Sequence, residues 1–84
     1  MEEVRIAEVL TERADGEIMD AFTARFRFAQ PVGAGVRLPS GGGWVTVTPQ
    51  MGSVRIRAEG DSAELAEELC VFYEEEIRGI DMEK

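Results

Sequence analysis

Residues 21–58 read AFTARFRFAQPVGAGVRLPSGGGWVTVTPQMGSVRIRA, without a single Asp or Glu in a chain that has 17 of them. The stretch holds Arg25, Arg27, Arg37, Arg55 and Arg57, five of the nine basic residues. The carboxylates lie outside it. Seven against Arg5 and Arg13 leave the N-terminal flank at −5, and ten against Arg78 and Lys84 leave the C-terminal flank at −8. An acid-free, arginine-bearing centre between two acidic flanks is the feature that the fold has to explain.

Inside the stretch the apolar residues alternate. Phe22, Ala24, Phe26 and Phe28 are interleaved with Thr23, Arg25 and Arg27. Period two is the signature of a half-buried strand, and it predicts one over about 20–29. Ile18, Phe22 and Phe26 also repeat at helical spacing, but a helix turns Phe28 about 200° away from Phe26. Val36-Arg37-Leu38 is a short strand stopped by Pro39. Trp44 to Thr48 is β-branched and alternating, stopped by Pro49. Ser53 to Glu59 sets Val54, Ile56 and Ala58 against Arg55 and Arg57. Gln30 to Gly35, the flexible Ser40 to Gly43, and Gln50-Met51-Gly52 read as connections. Such short connections predict an antiparallel meander.

The flanks read as helices. In residues 2–14, Ile6, Val9 and Leu10 fall at i, i+3, i+4, with Glu2 and Glu3 in the first turn and Gly16 as a stop. The competing reading is a strand using Val4 and Ile6, with Asp15-Gly16 as a hairpin turn; Glu8 breaks its alternation. After Gly60, Asp61 or Ser62 caps a last helix, with Glu64 placed for a capping box. Leu65, Ala66, Leu69, Phe72, Tyr73, Ile77 and Ile80 make its apolar arc, and Gly79 marks its end. Val71 falls among the acids and Glu76 among the apolar residues, so Glu76 should pair with an arginine or lie at the rim of the core.

The whole is expected to be a single α+β domain over 1–84, a two-layer sandwich. About four antiparallel strands carry an N-terminal and a C-terminal helix on one face. The other sheet face then collects Arg25, Arg27, Arg37, Arg55 and Arg57 around Trp44. An α-β-β-β-α order resembles that of double-stranded RNA-binding domains in topology alone. That family opens its last helix with a phosphate-gripping lysine cluster, whereas Gly60-Asp61-Ser62-Ala63-Glu64 is acidic.

Composition narrows the function classes. With no histidine and one cysteine, Cys70, the chain has neither an internal disulfide nor the usual zinc ligands. Neither Cys70 nor Ser40, Ser53 and Ser62 has a histidine base, so no nucleophile is activated and no enzyme is expected. The glycines from Gly33 to Gly43 lack the lysine of a phosphate loop and lead into strands. Consecutive glutamates on a helix diverge too much to hold a metal. No cofactor or metal is therefore expected. A net charge of −8 disfavours nucleic acid and membrane surfaces. The acidic start MEEVRIAEV and the lack of a long apolar run point to a cytoplasmic protein. One lysine against eight arginines, and no asparagine, fit either a heat-adapted protein or a GC-rich genome.

The expectation is a non-enzymatic interaction module, a homo-oligomer or a small subunit of an assembly. It would use a face made of Arg25, Arg27, Arg37, Trp44, Arg55 and Arg57. The nearest carboxylates for such a face are the acidic helices of a second copy. Nucleic acid or another anionic ligand is the alternative occupant, and an arginine face merely covered by its own solvated stems is the bland one.

Overall fold

The alternation from Val36 onward carries through into three strands, and the region before it rearranges. The computed structural model describes residues 2–83. In chain order they form β1 (Glu3–Leu10), α1 (Asp15–Arg25), β2 (Gln30–Val32), β3 (Gly35–Ser40), β4 (Gly43–Gln50), β5 (Ser53–Gly60) and α2 (Ala63–Met82). The sheet is antiparallel throughout, in the order β1-β5-β4-β3-β2. It has five strands rather than four, and the two-layer α+β architecture stands.

The core lies between the sheet and the helices. Val9, Val36, Leu38, Val45, Val47, Val54, Ile56 and Ala58 point to one side and pack with Ile18 and Phe22 of α1 and Leu69, Cys70, Tyr73, Ile77 and Ile80 of α2. α2 lies over β1 and β5, and α1 sits beside it facing β4. Gly43 lets α2 come close, since a Cβ there would collide with the Glu59 carbonyl and the Leu69 side chain.

Two elements exchange the identities read from sequence. Residues 2–14 are not a helix; they contain the edge strand β1. Its β-branched Val4, Ile6 and Val9 suit a strand. Its alternation is blurred because Ile6 and Leu10 face solvent while Val9 faces the core. Residues 20–29 are not a strand. They hold the second half of α1, whose Ile18 and Phe22 are fully buried, and the residue that ends it, Phe26, packs on Phe22 at 4.6 Å between ring centres. Phe28 lies beyond the helix end at Arg25, so the geometric objection to a helix does not apply. Asp15 and Glu17 in the first turn and Arg25 in the last complement the helix dipole. Asp15-Gly16 thus opens a helix rather than closing one. With β1 ahead of α1, the chain order also departs from that of double-stranded RNA-binding domains.

Smaller differences follow local chemistry. Gln30 to Val32, read as turn, pairs with β3 as a three-residue edge strand. Ser40 pairs with Gly43 across Gly41 and Gly42, both at positive φ (49° and 90°). That is a tight hairpin turn of the kind only glycine accepts easily, not a flexible connection. Ser62 is the cap of α2, its Oγ accepting from Leu65 N–H at 3.1 Å. α2 passes through Gly79 to Met82 because packing of Ile77 and Ile80 outweighs one glycine's propensity. Phe72 is half exposed instead of buried. Glu76 does lie at the rim and pairs with Arg25 at 3.6 Å.

Candidate interaction face

The strand registers define the open face rung by rung. One rung runs Gln30, Arg37, Thr46, Arg57, Ile6. The next toward the β4–β5 turn carries Thr48, Arg55 and Glu8, and the one on the other side Pro39, Trp44, Glu59 and Val4. Leu10 and Ser53 pair beyond Arg55. Alternation sets these side chains opposite the core.

Of the six expected residues, the structure brings together Arg37, Trp44, Arg55 and Arg57. Arg25 and Arg27 are elsewhere, because their segment is a helix end and its following turn. Arg25 is tied to the helix layer by Glu76 and by Glu83. Arg27 makes no ion pair among the described residues.

The centre of the face is Glu59. Its carboxylate receives Arg57 Nη1 at 2.8 Å and lies 3.6 Å from Arg37 Nη2, with a side chain only 14 % exposed. Arg37 in turn lies over the Trp44 ring, its guanidinium carbon 4.5 Å from the ring centre. The Arg37 Nε is buried and makes no hydrogen bond. A cation over a π face with a carboxylate beside it is an attractive arrangement on both sides, and it fixes the ring. Glu8 extends the pattern. It accepts from Ser53 Oγ at 2.9 Å and stands opposite Arg55.

Glu59 and Glu8 were missed from sequence. Glu59 ends the run that places Arg55 and Arg57 outward, and its equal parity was the signal. Glu8 had none while residues 2–14 were read as a helix. With both counted, three guanidiniums share the face with two carboxylates, and it has one net positive charge rather than five. It also has apolar members: Ile6 is 55 % exposed, Leu10 82 % and Trp44 42 %, with Val32 at the far edge on β2. No pocket opens among the described residues. The open face is a shallow surface of mixed charged and apolar side chains.

The class this defines is an α+β two-layer sandwich with one covered and one open sheet face. No family model, curated protein or solved structure matches the chain. No helix among the described residues is long and apolar enough to cross a membrane.

Proposed function

We propose that this chain is a non-enzymatic interaction module, working as a homo-oligomer or as a small subunit of an assembly, with its open sheet face as a contact surface. The observation that supports this best is Trp44, held under Arg37 and yet exposed, with Ile6 and Leu10 uncovered on the same face. Aromatic and arginine side chains together are what protein interfaces concentrate. At 84 residues the chain also gains from burying more apolar surface against a partner. The reading includes a cytoplasmic location.

Light scattering across a concentration series tests it, with Arg55→Glu/Arg57→Glu as the comparison. A protein that stays monomeric and retains no partner from a cell extract, with the charge-reversed variant behaving identically, sinks the reading. The arginine–tryptophan stack also supports a second reading, binding of single-stranded nucleic acid by stacking and charge. Salt titration with an oligonucleotide decides it; no salt-dependent binding at low ionic strength removes it.

A further inference from the structure

The two edges of the sheet are built differently. β2 is three residues long and contains Pro31, two devices that blunt an edge. β1 is eight residues long, pairs with β5 in unbroken register from Glu3 to Leu10, and has neither proline nor bulge. Its outer side presents a regular row of backbone groups. Thr11 N–H donates to the Gly52 carbonyl at 3.0 Å. By antiparallel alternation the odd residues therefore turn their backbone groups to β5, and Val4, Ile6, Glu8 and Leu10 turn theirs outward. One of these groups, the Val4 carbonyl, accepts from Arg5 Nη1 at 3.1 Å.

We infer that the outer edge of β1 pairs antiparallel with the β1 of a second copy about a two-fold axis at Ala7, joining two five-stranded sheets into one of ten strands. This rests on the reading of the chain as a self-associating module, but assigns the contact to a surface other than the arginines of the open face.

The register is chosen by side chains. With Ala7 opposite itself, Ile6 faces Glu8, Val4 faces Leu10 and Arg5 faces Val9 of the other copy, so within β1 no like charges are opposed. The outward residues meet as hydrogen-bonded pairs. Centring on Glu8 would oppose two carboxylates, which is unfavourable. Centring on Ile6 would leave Leu10 opposite Glu2.

A second observation falls on the same axis. α2 runs alongside β1: Glu67 pairs with Arg5 at one end, and Asp81 accepts from the Glu12 and Arg13 N–H groups at the other. From Arg5 to Ala7 the strand advances about 7 Å. From Glu67 to Val71, on one stripe of the helix, the advance is about 6 Å. Val71 is therefore level with Ala7, and it is 40 % exposed among acids. Since α2 lies over β1 and β5, its axis stands about one strand spacing from the dyad. The two helices would then run antiparallel about 10 Å apart, a packing distance, with Val71 against Val71. Of the acids flanking this seam, Glu67 is compensated by Arg5 and Glu74 by Arg78 at 3.3 Å within each copy, whereas Glu64, Glu68 and Glu75 make no ion pair among the described residues.

Sedimentation equilibrium of the full chain tests the inference, with circular dichroism to confirm folding of each variant. The wild type is expected at twice its 9.3 kDa mass. Ile6→Pro removes an outward N–H without touching the β5 ladder, and Val71→Glu sets two charges on the axis. Each should raise the dimer dissociation constant at least tenfold, and Arg55→Glu/Arg57→Glu should leave it unchanged. In hydrogen exchange the Glu8 and Leu10 amides should be protected in the wild type and fast in Val71→Glu. A dimer lost only in the Arg55/Arg57 variant overturns the edge and keeps the interaction-module reading on its open face. A wild type that is monomeric throughout, or a dimer indifferent to both Ile6→Pro and Val71→Glu, overturns the edge as well.

Discussion

Asp81 Oδ1 accepts the Arg13 backbone N–H at 2.9 Å, and the Arg13 guanidinium donates to the Ile80 carbonyl at 2.8 Å. The same carboxylate takes the Glu12 N–H at 2.9 Å. The loop after β1 thus has two of its backbone donors satisfied by the last turn of α2, while Arg13 adds a second donor to the Ile80 carbonyl, which also takes the Glu83 N–H. Asp81→Ala should cost about 1–2 kcal/mol, the value of charge-assisted bonds at a partly exposed site. For a domain of this size that lowers the melting midpoint by about 4–8 °C per kcal/mol. Asp81→Asn, which keeps an acceptor oxygen, should lose less. An unchanged urea midpoint in Asp81→Ala would show that water serves the loop equally well.

Phe22 and Phe28 should respond very differently to truncation. Phe22 is fully buried, whereas Phe28 is 56 % exposed beyond the end of α1. Phe22→Ala should cost about 3–5 kcal/mol, a large part of the 5–15 kcal/mol or so that holds an ordinary domain together. Phe28→Ala should stay within about 1 kcal/mol. Equal losses by urea denaturation would restore the strand over 20–29, in which both rings belong to the core.

What could be read from sequence follows from where the alternation was enforced. β4 and β5 have strands on both sides and a helix layer below, so Val45, Val47, Val54, Ile56 and Ala58 must alternate strictly, and they do. β1 is an edge with solvent on two sides. Ile6 and Leu10 can therefore be apolar and exposed, and their spacing with Val9 imitates a helix. In residues 18–28 both periods fit Phe22 and Phe26. The choice is made by distant partners, Tyr73 packing on Phe26 at 5.3 Å and Phe22 at 6.0 Å, which no local pattern contains. The open face was legible in part for the same reason. Arg37, Trp44, Arg55 and Arg57 lie on enforced strands, whereas Arg25 and Arg27 depended on the ambiguous segment.

Cys70 gives a pH signature. Burial, and then the nearby Glu74 and Glu67 carboxylates, push its thiol from the ordinary 9.0 up to about 11, with Arg5 opposing. The fold therefore prefers the protonated thiol. Its contribution is fully present below pH 9 and is lost as pH rises from 9 to about 11, because the unfolded chain ionises first. The wild type should lose more stability across that window than Cys70→Ala, measured by urea midpoints at each pH. Alkylation of the native thiol should be slow at pH 8 and fast in denaturant. Parallel pH curves for the two proteins would remove the effect.

Glu59 is predicted to control the tryptophan above all else on the open face. Its carboxylate holds Arg57 directly and sits beside Arg37, and Arg37 covers the Trp44 ring. Glu59→Gln removes the charge that keeps Arg37 in place and leaves the face with two net positive charges. Trp44 is the only tryptophan, so its fluorescence reports this site alone. Iodide, an anion, should quench Glu59→Gln more steeply than the wild type, since the ring is less covered and the local field more positive. Acrylamide, which is neutral, should show a smaller increase from uncovering alone, and Arg37→Ala should reproduce the acrylamide effect without the iodide excess. If quenching slopes coincide in all three proteins, the arginine does not cover the ring in solution. If acrylamide and iodide rise together in Glu59→Gln, the charge of the face is set by residues other than Glu59.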